Sequence, residues 1–185
     1  TADFNFAEDG LLSIGDGIRL PGENYNNSAL SIRSRGTLTA VRDTSGSYPS
    51  FGTMVALGYE SSFINDGTLR FQNRAISISP YSYVAAISQG IEVTNNGVIL
   101  VDGATAIGGA RYVYNNGLIA EFENGTTSVG VRTSYLTNNG SIIFNGRAVV
   151  ADSFSTNIFN NGVLRSTNGV AIGGYGLLAL VNGVD

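Results

Sequence analysis

The 185-residue chain contains no cysteine, no histidine and no tryptophan, and all ten of its basic residues are arginines, so lysine is missing too. Without cysteine there is no disulfide scaffold and no thiolate metal site. Without histidine or lysine the side chains left for acid–base work are Asp, Glu, Arg and Tyr. Charge is scarce: 13 % of residues are charged and the net charge is −4, with the arginines scattered singly. That argues against nucleic acid as a partner, which calls for a basic stripe. No apolar run approaches the length of a membrane span, and no segment shows helical periodicity. The opening at Thr1 rather than Met reads as a mature or excised product.

What the chain has in quantity is glycine, 25 residues, set in a repeating context. Asn-Asn-Gly ends at Gly97, Gly117, Gly140 and Gly162, with Asn65-Asp66-Gly67 before and Asn182-Gly183 after. Taking each Gly as origin and Gly36 as a degenerate first member, the position four residues earlier is held by Ile32, Phe63, Val93, Val113, Leu136 and Ile158. The position two residues later is held by Leu38, Leu69, Ile99, Ile119, Ile142 and Leu164. Two further on come Ala40, Phe71, Val101, Phe144 and Ser166, joined by Phe122 if Ala120-Glu121 holds a bulged extra residue. Alternation with period two marks strands with one buried face. A second Gly turn follows in each unit, at Asp102-Gly103, Asn124-Gly125, Asn145-Gly146 and Asn168-Gly169.

Spacings of 20, 23, 22 and 21 residues from Gly97 onward are too short for a propeller blade. They predict an all-β chain: a right-handed parallel β-helix, the hand following from the rule for parallel crossovers. Equivalent residues of successive coils then stack, which predicts one asparagine column of Asn65, Asn95, Asn115, Asn138 and Asn160. Beside it stands a second column of Asp66, Asn96, Asn116, Asn139, Asn161 and Asn182. Both are read as structural ladders, with Asn chosen for its tolerance of left-handed φ and for an amide that both donates and accepts. Gly15-Asp16-Gly17 is a single fragment of a calcium β-roll motif, so no metal and no cofactor is assigned.

Residues 1–35 are less regular and are expected to form an N-terminal cap or irregular first coil, with 36–185 carrying the repeats and ending mid-coil. The units from Gly36 to Gly67 and from Gly67 to Gly97 are longer than the rest. Their extra length falls near Tyr48 and Phe51 and near Tyr81 and Tyr83, a candidate contact patch for a sugar or a protein partner, or else a lid over the small-residue strands. A weaker catalytic constellation places Asp102 beside Glu121 and Glu123, with Arg70 one coil back; such a carboxyl pair could serve glycoside hydrolysis. No enzyme activity is expected from it. Leu177, Leu178, Leu180 and Val181 form an apolar last coil without a polar cap. With Phe4, Phe6, Leu11, Leu12 and Ile14 at the other end, they suggest head-to-tail self-association or a piece of a longer rod.

The units Val93 to Ile99, Val113 to Ile119, Leu136 to Ile142 and Ile158 to Leu164, each with Asn-Asn-Gly at its centre, resemble the repeats of autotransporter passenger domains and related haemagglutinin-like adhesins. The resemblance implies an exported bacterial protein at the cell surface or outside the cell, serving attachment or assembly into a filament or matrix. A carbohydrate-active β-helix protein, whether a polysaccharide lyase, a glycosidase or a tailspike-like glycan binder, is the alternative.

Overall fold

The computed structural model describes residues 11–13, 18–19, 31–42, 53–57, 62–73, 85–88, 90–122, 128–151, 156–174 and 177–183. Among these residues there is no helix, and every strand pair is parallel. The strands recur in threes. The first strand of each unit is Leu11–Ser13, Thr37–Arg42, Thr68–Asn73, Val98–Asp102, Leu118–Glu121, Ser141–Phe144 and Val163–Ser166, and these seven stack in chain order as one sheet. The second and third strands form their own stacks. In the fourth and fifth units they run together as the single strands Thr105–Asn115 and Val129–Asn138, which join both stacks into a 12-stranded sheet. An all-parallel stack of three-strand units in chain order is consistent with a β-solenoid.

The register follows the glycine alignment. Leu12, Leu38, Leu69, Ile99, Ile119, Ile142 and Leu164 lie one above another. Ile32, Phe63, Val93, Val113, Leu136, Ile158 and Leu180 do the same in the third strands. From Leu38 to Leu164 in the first column and from Phe63 to Ile158 in the second, these side chains share one continuous core with the second strands, whose Ala86, Ala106, Ala148, Val131 and Val149 are buried in it. The size pairing is steric. A methyl on Gly130 would lie 2.2 Å from the Ala148 carbonyl oxygen and 2.9 Å from the ring of Phe144, so the bulk of the first strands is accommodated by its absence in the second. Each fully buried Leu, Ile or Phe contributes roughly 1.5–3 kcal/mol.

Two expectations are corrected by the register. Val101 pairs with Glu121 without a bulge, so Phe122 does not enter the core column. It is half-buried instead, with the Arg70 guanidinium 4.3 Å from its ring centre, a cation–π contact. Asn182 belongs to the first asparagine column, because it pairs with Asn160; with only one Asn in that turn, Gly183 takes the place of the second. The turn glycines Gly67, Gly97, Gly117, Gly140 and Gly162 are not among the glycines of positive φ, which among the described residues are Gly90, Gly103, Gly109 and Gly174. Their requirement is close approach: a methyl at any of the five would stand 2.0–2.1 Å from the carbonyl oxygen of the glycine one unit below. Each glycine is demanded by its predecessor.

Candidate functional site

Two hydrogen-bonded ladders run up the turn between third and first strands. In the inner one, Asn65 Nδ2 donates to Asn95 Oδ1, Asn95 to Asn115, Asn115 to Asn138, Asn138 to Asn160 and Asn160 to Asn182, at 2.7–2.8 Å. Asn65, Asn95, Asn115 and Asn138 are wholly buried. Their Nδ2 groups also reach backbone carbonyls of their own turn and of the next unit at 3.2–3.3 Å, as with Asn115 to Gly117 and Ser141. The column begins at Ser34, which pairs with Asn65. Its shorter side chain leaves the buried Oγ without a hydrogen bond.

The outer ladder donates in the opposite sense. Asn161 Nδ2 donates to Asn139 Oδ1, Asn139 to Asn116, Asn116 to Asn96 and Asn96 to Asp66, at 2.8–3.1 Å. Asn96, Asn116, Asn139 and Asn161 are exposed. A chain of amides donating downward must end on an acceptor, and it ends on a carboxylate, the one side chain that only accepts. The hydrogen bond from Asn96 is the largest influence, and with the hydrogen bond and charge of Arg33 and the charge of Arg35 it holds the Asp66 carboxyl below its ordinary value against the opposing effect of burial. Arg33 Nε also donates to Asp66 Oδ2.

The other buried polar side chains tie units together as well. Thr133 Oγ1 donates to the Ala110 carbonyl at 2.7 Å and Thr156 Oγ1 to the Thr133 carbonyl at 3.3 Å, while Ser128 Oγ accepts from Gly103 N–H at 3.0 Å. The candidate acids are occupied in separate ways. Asp102 accepts from Gln72 Nε2 at 3.3 Å, and Glu121 Oε2 from Asn145 N–H at 3.0 Å. Arg70 rests on Phe122, and Glu123 lies outside the described residues. Among the described residues no cluster of three or more acids could hold a metal ion, and no helix is long and apolar enough to cross a membrane.

Tyr48, Phe51, Tyr81 and Tyr83 lie outside the described residues, as do Phe4, Phe6 and Ile14. Leu11 and Leu12 sit in the lowest strand of the seven-stranded sheet, and Leu177 and Leu178 in the uppermost third strand. The described surface holds a different aromatic group, on the outward positions of the third strands. One column is Glu92, Tyr112, Tyr135 and Asn157; the next is Thr94, Tyr114, Thr137, Phe159 and Val181. Tyr112 and Tyr135 stack with ring centres 4.9 Å apart, and the Arg111 guanidinium lies 5.3 Å from the Tyr112 ring. Tyr114 and Phe159 are 38 % and 46 % exposed. They stand two units apart, about 10 Å by strand spacing, with Thr137 between them. The signal was in the sequence: these aromatics occupy positions five and three before the turn glycine, which alternate with the core column and so face outward.

Comparison with protein-family models, with curated proteins and with solved structures finds no match.

Proposed function

We propose that this chain is an exported bacterial surface module, a right-handed parallel β-helix that works by attachment, or by assembly into an extracellular filament, and not by catalysis. The observation that carries the reading is the division of labour among its polar and aromatic side chains. The buried asparagine amides and the hydroxyls of Thr133 and Thr156 are committed to holding unit on unit, and Asp102 and Glu121 accept from separate partners. The aromatics Tyr112, Tyr114, Tyr135 and Phe159 stand outside, in register, on one flat side of the stack. Tyr and Phe offer rigid contact area at low entropic cost, and Tyr adds a polar tip. Such a row suits a glycan chain or a protein partner lying along the stack. The hand follows the rule for parallel crossovers, and the absence of cysteine agrees with export.

A glycan panel with product detection tests the reading. Binding without turnover is expected, and replacing Tyr114, Tyr135 and Phe159 together by Ser should abolish it with the circular-dichroism strand signal kept. Turnover would overturn the non-enzymatic assignment. Neither binding nor turnover would leave assembly, which electron microscopy and sedimentation across concentration resolve. There, rods longer than one subunit are expected to form through the uppermost strand, where Leu180 and Val181 are half-exposed.

A further inference from the structure

We propose that Asn161-Gly162 is a site of spontaneous deamidation, set apart from three otherwise equivalent Asn-Gly pairs by the ladder itself. An Asn followed by Gly is the pair most open to this reaction, since no side chain on the following residue hinders ring closure. The Gly amide loses its proton to hydroxide and its nitrogen attacks the Asn Cγ. A C–N bond forms, the Cγ–Nδ2 bond breaks, and ammonia leaves. Water then opens the succinimide at either carbonyl to give Asp or isoaspartate, so that Asn and water become an acid and ammonia.

The fold opposes each step in the middle of the stack. Asn96, Asn116 and Asn139 each hold Nδ2 on the rung below and accept at Oδ1 from the rung above. The attacking nitrogens are engaged too: Gly97 N–H donates to the Asn65 carbonyl, Gly117 N–H to that of Asn95 and Gly140 N–H to that of Asn115, at 3.0–3.1 Å. Deprotonation and rotation of the amide must first break these bonds.

Asn161 differs on both counts. The rung above it carries Gly183 where the others carry Asn, so among the described residues no amide donates to its Oδ1, and no hydrogen bond is made by Gly162 N–H. It keeps the longest bond of the outer ladder, 3.1 Å to Asn139. Asn96 is its matched control, because both stand in Asn-Asn-Gly-Val and share the same local chemistry when unfolded. The product carboxylate at Asn161 cannot donate, so the last rung is lost and the seventh unit loosens while the units below keep theirs.

The test incubates the intact folded chain at mildly alkaline pH and follows each Asn-Gly pair by peptide mapping and mass spectrometry, with a parallel sample in denaturant. Conversion of Asn161 several-fold faster than Asn96 in the folded chain, with the two rates converging in denaturant, is expected. Equal rates in the folded chain, or Asn116 or Asn139 converting ahead of Asn161, would overturn the proposal. Gly162→Ala, which should slow conversion at Asn161, provides the second measurement; because its methyl would meet the Gly140 carbonyl, folding is checked by circular dichroism. Should that variant not fold, the Asn161 to Asn96 ratio in the parent chain still decides.

Discussion

Asn115 and Asn116 are neighbours in one turn, yet Asn115 is wholly buried and Asn116 is exposed. The buried amide shares its two protons among a side chain and two backbone carbonyls. The exposed one donates a single bond to the rung below and accepts one from the rung above, where water competes for every group. Identical residues one position apart therefore differ in what their loss would leave behind: orphaned polar atoms inside, rehydrated ones outside.

The sharpest break of this comparison is Asn115→Leu. It removes the acceptor of Asn95 and the donor of Asn138 in a dry interior, so a loss of about 3 kcal/mol or more is expected, at about 1–3 kcal/mol for each orphaned group. Denaturant unfolding measures it. Gly117→Ala comes next, because its methyl would sit 2.0 Å from the Gly97 carbonyl oxygen and the turn must spread. A cost of about 1–3 kcal/mol, as for overpacking elsewhere, is expected in the same assay. Asn116→Ala removes two solvated hydrogen bonds and should cost about 1 kcal/mol, since water rehydrates the groups left behind. If it destabilised the chain as much as Asn115→Leu, burial would not be what separates the ladders.

The smallest effect concerns pH. The Asp66 carboxyl is held below its ordinary value of 3.8, so the folded state binds its proton less readily than the unfolded one. The resulting stabilisation is full above that ordinary value and is lost as pH falls through the lower folded value. Thermal unfolding of Asp66→Asn should therefore be less sensitive to acid than that of the parent. An identical acid dependence would remove Asp66 from the account.

How much of this was legible beforehand depended on whether a local pattern carried the information. The core columns and the inner ladder followed from the glycine spacing, because in a parallel stack equal spacing means equal position. The place of Asn182 did not, since a turn with one Asn can align to either column and only the pairing with Asn160 decides. The reason for the glycines is not local either. Asn-Gly is the usual mark of a positive-φ turn, whereas the constraint here comes from a carbonyl 20 to 31 residues earlier. Phe122 was misplaced because its partner, Arg70, lies two units away. The row of Tyr112, Tyr114, Tyr135 and Phe159 is readable from alternation alone, because residues flanking a core position on a strand face outward.

The opposed direction of the two ladders has one further consequence. A column of aligned amides adds its dipoles end to end, as a helix does with its peptides, and a lone ladder would build up opposite partial charges at its ends. Here the inner amides point their N–H groups toward later units and the outer amides toward earlier ones, so the two columns largely cancel. Adding a unit that carries both asparagines then leaves the net moment of the pair nearly unchanged, and electrostatics sets no limit on how tall such a stack can grow.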